Sequence, residues 1–262
     1  MPLLETIASG AARGFGLNSS SADLSAVVLG LSGLQLYVDA NAGYSSSQWT
    51  DFSNNGNHMI PYNNPTYTVS NGYKVVQCQY NTGNSASTPM LYCLNYLNLS
   101  YITVETVFSI RDYSSNSANQ ILWNKENTWE FSTGKVGGFP TRGQWAIQAD
   151  GADNWFWHTA VSSFNQNTKY HLVVTWDTDF YVRTYLNGTL VDTYRTGADG
   201  NMYTTPLKPR STWPKLNARN SGQNEVGDPG SHDYYRFAVW NRALNQSDIT
   251  SLYNNARTRH GF

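Results

Sequence analysis

An all-β fold, two antiparallel sheets packed as a sandwich, is what the 262-residue sequence predicts, and three observations predict it. Short segments rich in Val, Ile, Thr, Tyr and Trp recur along the chain. Gly, Asn and Ser punctuate them, and helical periodicity is confined to one stretch near the C-terminal end. At this length a single hydrophobic core suffices, because sandwiches of this size stay single.

Strand patterns fall at Leu34–Ala40, Tyr73–Tyr80, Met90–Leu97, Tyr101–Ile110, Gln120–Lys125 and Trp129–Ser132. They continue at Gln144–Ala149, Trp155–Val161, Tyr170–Asp177, Tyr181–Leu186, Thr189–Tyr194 and Asp233–Trp240. In FYVRTYLNGTLVDTYRTG, Asn187-Gly188 supplies the two positive-φ residues of a type I′ turn, which fixes a hairpin. RALNQSDITSLYNNAR then offers Asn245 as an N-cap, Asp248 in the first turn, and Ile249, Leu252 and Tyr253 at helical spacing. A short helix over Gln246–Asn255 follows.

Composition narrows the partners. Only 13% of residues are charged, aromatics reach 14%, and the formal net charge is -1, so nothing points to nucleic acid or an anionic membrane surface. The apolar-rich stretch Leu24–Val38 is interrupted by Ser25, Gly30, Ser32, Gly33 and Gln35 and falls short of the roughly 20 residues a bilayer requires, so no membrane insertion is expected. Met1–Ser32 lacks a cationic start, so no signal peptide is expected, and it is too poor in apolar residues for its own core. Residues 1–32 are therefore read as an arm and 33–262 as the domain. Leu3, Leu4, Ile7 and Phe15 are the arm's apolar attachment contacts.

HDYYRFAVWNRALNQSDITSLY resembles the closing strand, turn and helix of laminin G-like, concanavalin A-like jelly rolls. The turn here is Trp240-Asn241-Arg242-Ala243-Leu244. LQLYVDANAG…WTDFSNNGNH, SYITVETVFSIRD…QILWNKENTWEF and TKYHLVVTWDTDFYVRTYLNGTLVDTY are similar to that family's opening, central and hairpin segments in the same order. The likeness runs from Gly33 to Arg257. It implies a jelly roll, a fold that serves lectins, adhesion modules, glycosidases and passive structural domains. The short glycine-rich leader, with its Ala-Arg-Gly-Phe-Gly stretch, looks like those on structural proteins of tailed bacteriophages.

Glycosidases of this fold carry alternating acidic residues on one strand, because a nucleophile or base must face an acid across the scissile bond. The nearest candidates here are Glu126 and Glu130, separated by Asn127-Thr128-Trp129, and the isolated Glu105. An i, i+4 pair lies far apart on an extended chain. His58, His158, His171, His232 and His260 stand apart in sequence, so no nucleophilic triad is legible and the chain is expected not to be an enzyme.

The nine tryptophans offer glycan contacts, since aromatic faces stack on sugar C–H surfaces. Trp49, Trp129, Trp145 and Trp213 lie at or near loops and are the exposed candidates. DNWFWHTA, with Trp155 and Trp157 on one face and Phe156 and His158 on the other, reads as a strand packed between layers. No resident cofactor is expected. Calcium is the one metal the residues admit, at Asp51 and Asn55 of DFSNNGN or at Asp228 and Asp233 of NEVGDPGSHD, and the first of these reads more readily as an Asx-turn. Cys78 and Cys93 both sit in strand patterns, as a bonded pair or as two buried thiols.

These readings converge on a non-enzymatic module of a virus particle, a head decoration or tail appendage, whose partners are other virion proteins or copies of itself and host-surface polysaccharide. The alternative is a carbohydrate-binding lectin or adhesion module, and a glycoside hydrolase stands third.

Overall fold

The computed structural model describes residues 25–70, 72–81, 85–113, 120–134, 142–150, 155–196, 205–220 and 222–262. Within them the strands are, in chain order, β1 (Leu34–Asp39), β2 (Met59–Tyr62), β3 (Thr66–Ser70), β4 (Tyr73–Cys78), β5 (Met90–Cys93), β6 (Ile102–Ile110), β7 (Ile121–Lys125) and β8 (Trp129–Ser132). There follow β9 (Gly143–Ile147), β10 (Phe156–Val161), β11 (Lys169–Trp176), β12 (Tyr181–Leu186), β13 (Thr189–Arg195), β14 (Pro214–Leu216) and β15 (His232–Trp240). Two helices, α1 (Ala26–Gly30) and α2 (Gln246–His260), bracket the strands.

The strands form two antiparallel sheets. One has eight strands in the order β13-β12-β11-β6-β15-β4-β3, with β1 also on β15; the other has seven, β10-β9-β8-β7-β14-β5-β2. β1 and β4 share one edge of β15, which takes β4 at His232–Tyr234 and β1 at Arg236–Trp240. The Asn187-Gly188 turn has the expected left-handed pair of φ values, 51° and 77°, and joins β12 to β13 at Leu186↔Thr189. A Cβ on Gly188 would lie 2.8 Å from the Tyr253 ring, so glycine serves the close approach of α2 as well as the turn.

The core fills the space between the sheets. Leu36, Val104, Phe108, Leu172 and Phe237 of the first sheet meet Leu91, Trp123, Phe131, Trp145 and Leu216 of the second. The other face of the eight-stranded sheet is also covered, by α1 and α2: Val28, Tyr37, Val173, Ala238, Ile249 and Leu252 form a second cluster there. α2 begins with a full capping box between Asn245 and Asp248 and ends at Gly261 with φ 68°. It is therefore longer than the Gln246–Asn255 expected from its apolar positions.

Beneath α2, fully buried Glu105 accepts hydrogen bonds from Arg236 and pairs with His171 Nε2 at 2.8 Å. Burial pushes its carboxyl up, but Arg236 and His171 outweigh that and hold it below the usual range. His171 is lowered by the same burial.

Three strands escaped the sequence reading. β2 contains Pro61, which argues against a strand but is tolerated here because β2 is a sheet edge. β3 is a short, largely exposed edge, and β14 has only three residues. The arm assignment needs correcting at its inner end. Ser25–Ser32 is built into the domain: Val28 is buried, Ser25 Oγ donates to Asn255 Oδ1 at 2.7 Å, and Arg242 Nε donates to the Ser32 carbonyl at 2.9 Å. Leu3, Leu4, Ile7 and Phe15 lie outside the described residues.

Candidate functional site

The eight-stranded sheet is roofed by helices, and the candidate site lies on the outer face of the seven-stranded sheet. Cross-strand partners point to one side of a sheet. The register therefore lays a row of side chains along that face: Trp157, Ala146, Glu130, Asn124, Lys215 and Tyr92. Their sequence neighbours Trp145, Trp129, Phe131, Trp123 and Leu216 point the other way, into the core.

Residues 218–220 and 222–229 fold back over this row. Arg219 and Gly227 pair backbone to backbone, with the two N–H···O contacts at 2.9 and 3.3 Å. Arg219 Nη2 then reaches Glu130 Oε1 at 2.6 Å, and Nη1 reaches Asp228 Oδ2 at 2.9 Å. The Lys215 ammonium is enclosed by this segment and donates to the carbonyls of Gly222 at 2.6 Å and Glu225 at 2.8 Å. The Asn220 N–H donates to Glu126 Oε2 at 3.1 Å. Asn124 Nδ2 donates to the second Glu130 oxygen, Oε2, at 2.6 Å, so both oxygens of that carboxylate are engaged.

Burial dominates the ionisation of the row. It pushes Glu130 up to about 7, against Arg219 and with help from Glu126. It brings Lys215 down to about 8, against Glu225 and Glu126. Arg219 is also pulled down by burial, but Glu130 and Asp228 outweigh this and its net shift is upward.

At the β10 end the face is aromatic. Trp155 and Trp157 are half-buried with ring centroids 5.9 Å apart, and the Arg219 guanidinium lies 5.5 Å from the centre of the Trp157 ring. Gln144 Nε2 donates to Thr159 Oγ1 at 3.2 Å beside them. Phe156 and His158 face inward: Phe156 stacks on Tyr194, and His158 lies against Trp145 and bonds Asp192 at 3.2 Å. The strand is thus half-buried on both faces, with Phe156 packed against the core and Trp157 met by the Arg219 guanidinium. Trp155 and Trp157 stand outside the core, which corrects the expectation that both faces pack between layers.

The tryptophans expected at the surface mostly are not there. Trp49, Trp129 and Trp145 are 0%, 2% and 1% exposed. Trp49 is fixed by its indole N–H to the Asp39 carbonyl at 2.9 Å, and the other two fill the core. Sequence position near a turn misled, because pleat alternation decides which way a side chain points. Trp213 is half-buried and meets Tyr96 edge-on at 5.1 Å.

The four metal candidates do not converge, and no group of three or more His, Cys, Asp or Glu able to hold a metal occurs among the described residues. Asp51 takes donors on both oxygens, from Tyr37 N and Ser53 N on one and from Ser53 Oγ and Asn57 N on the other. The Asp51–Ser53 bond is an Asx-turn. Asn55 donates to the Leu34 carbonyl at 3.0 Å. Asp228 pairs with Arg219 and Asp233 with Arg111. Cys78 and Cys93 are free and buried, and burial raises the Cys93 thiol to about 12.

The concanavalin A-like lectin/glucanases superfamily matches residues 81–250. Among solved structures, the chain is similar to the binding domain of Botulinum neurotoxin DC in complex with rat synaptotagmin II, with 11% identity and a TM-score of 0.59 over 85% of this chain and 51% of that one. It is similar to the binding domain of Paraclostridial Mosquitocidal Protein 1, with 15% identity and a TM-score of 0.58 over 85% and 52%. It is also similar to botulinum neurotoxin type C, whose passage into cells is dependent upon interaction with two ganglioside molecules, with 12% identity and a TM-score of 0.60 over 85% and 51%. The chain spans about half the length of these structures, and likeness at such identity shows the fold. No curated protein matches it. With strand order, sandwich and more than half of its residues matched, the chain belongs to the concanavalin A-like lectin/glucanase superfamily.

Proposed function

We propose that the protein is a non-catalytic carbohydrate-binding module, and that it receives sugar on the outer face of the seven-stranded sheet. The observation that carries this is the Trp155–Trp157 pair at the start of an edge strand, outside the core, with Arg219 against Trp157 and Gln144 and Thr159 on the same face. The similar structures support it, being binding domains, one of them tied to gangliosides. Trp157→Ala should lower glycan retention at least about tenfold in a glycan array or calorimetry, the loss of one stacking contact in an aromatic site. Its melting temperature should stay near the parent's. Undiminished binding by this variant would overturn the assignment.

Glu130 is the one carboxyl at the site tuned towards acid–base work, yet it is 1% exposed and both its oxygens are held by Arg219 and Asn124. That engagement supports binding over hydrolysis. Release of reducing sugar that disappears in Glu130→Gln would overturn the non-catalytic reading. Display on a virus particle through Leu3, Leu4, Ile7 and Phe15 is supported by the composition of the leader alone, whereas the similar structures favour the carbohydrate-binding reading.

A further inference from the structure

The face described above carries positive charge beside its tryptophans, which would ordinarily suggest an acidic sugar. The partners of those charges point the other way. Arg219 has one terminal nitrogen on Glu130 and the other on Asp228, and its Nε is buried out of reach of any ligand. The Lys215 ammonium is 1% exposed on a residue basis and turned into the carbonyls of Gly222 and Glu225. Two further carboxylates bond the backbone of this segment, Glu126 of the β7–β8 turn on the Asn220 N–H and Glu225 on the Gly222 N–H at 3.0 Å. Arg219 is thus shared between two carboxyl groups, Lys215 is turned onto backbone carbonyls, and the Asp228 side chain is 35% exposed at the rim.

We infer that the Trp155–Trp157 site selects uncharged sugars and excludes glycans carrying carboxylate or sulfate; this rests on the carbohydrate-binding reading. A neutral ring needs only the apolar platform and hydroxyl partners, and Gln144 and Thr159 supply the latter. An anionic sugar placed on Trp157 would have to compete with Glu130 and Asp228 for the Arg219 guanidinium, or sit beside Asp228 and Glu126 without a cation of its own. Either route costs affinity, and the rim part of the cost is Coulombic and screened by salt.

The test is a glycan array and calorimetry on the full chain, using neutral oligosaccharides and the same chains carrying sialic acid, uronic acid or sulfate, at low salt and at high salt. The acidic counterparts should bind at least about tenfold more weakly at low salt, the scale of one like-charge contact near a surface. The gap should narrow at high salt, and Glu126→Gln should narrow it at low salt. Acidic chains that bind as well as their neutral parents overturn the selectivity and leave the carbohydrate reading standing. Failure of every glycan to bind, or binding indifferent to Trp157→Ala, overturns both.

Discussion

Glu130 shows how one buried side chain couples the site to the fold. Its carboxyl, raised to about 7 by burial, holds its proton in the folded chain over a range where the unfolded chain, near 4.5, has released it. The stability it contributes is therefore full below about pH 4.5 and is lost as pH rises through about 7. The slope is about 1.4 kcal/mol for each pH unit within that window. Glu130→Gln has no proton to lose, so its melting temperature relative to the parent should climb from pH 5 to about pH 7 and level off above it; a flat difference throughout would show that Glu130 is not raised. Glu126 and Glu130 were visible in the sequence as the nearest carboxylate pair, but spacing on an extended strand set them apart. The turn after β7 closes with Thr128 N–H to the Lys125 carbonyl, and the two carboxylates end up serving adjacent residues, Arg219 and Asn220. No sequence signal announces Arg219 itself, because the segment that carries it has no periodicity to read.

Among the elements, those with strong local chemistry were legible and those held by context were not. The Asn187-Gly188 hairpin and the Asn245 cap state their own conformation, and both stand as expected. β14 and α1 are too short to carry a pattern and form because their neighbours shelter them. α1 gives the sharpest test. Val28 is fully buried and Ser25 bonds both Tyr37, through its N–H, and Asn255. Removing residues 1–32 should therefore cost about 2–4 kcal/mol relative to removing 1–24, the worth of one buried valine and its hydrogen bonds. Thermal unfolding of the two truncated chains reads this directly. Equal midpoints would show that α1 rests on the sandwich without supporting it.

At the scale of the whole molecule, the eight-stranded sheet is closed by α1 and α2, and the seven-stranded sheet carries polar groups and the proposed sugar site where the first has packing. The class of fold was written in the sequence by its strand rhythm, while the division of labour between sheets was not, since both sheets contribute tryptophan to the core and both bury carboxylates. That division gives the molecule a front and a back. Ser25, the first described residue, emerges on the helix side, beside Asn255. A support attached beside Ser25 would stand behind the domain and aim Trp157 outward. Copies held side by side in this way would face a glycan-bearing surface together, where linked sites can exceed the strength of one by about 10²–10⁴ without any new contact. Protein immobilised through its N-terminal end should then capture a multivalent neutral glycan far more firmly than the same protein binds it free in solution; equal retention in the two formats would show that the front is not presented. On the proposed reading, orientation alone would make each domain one point of contact among many.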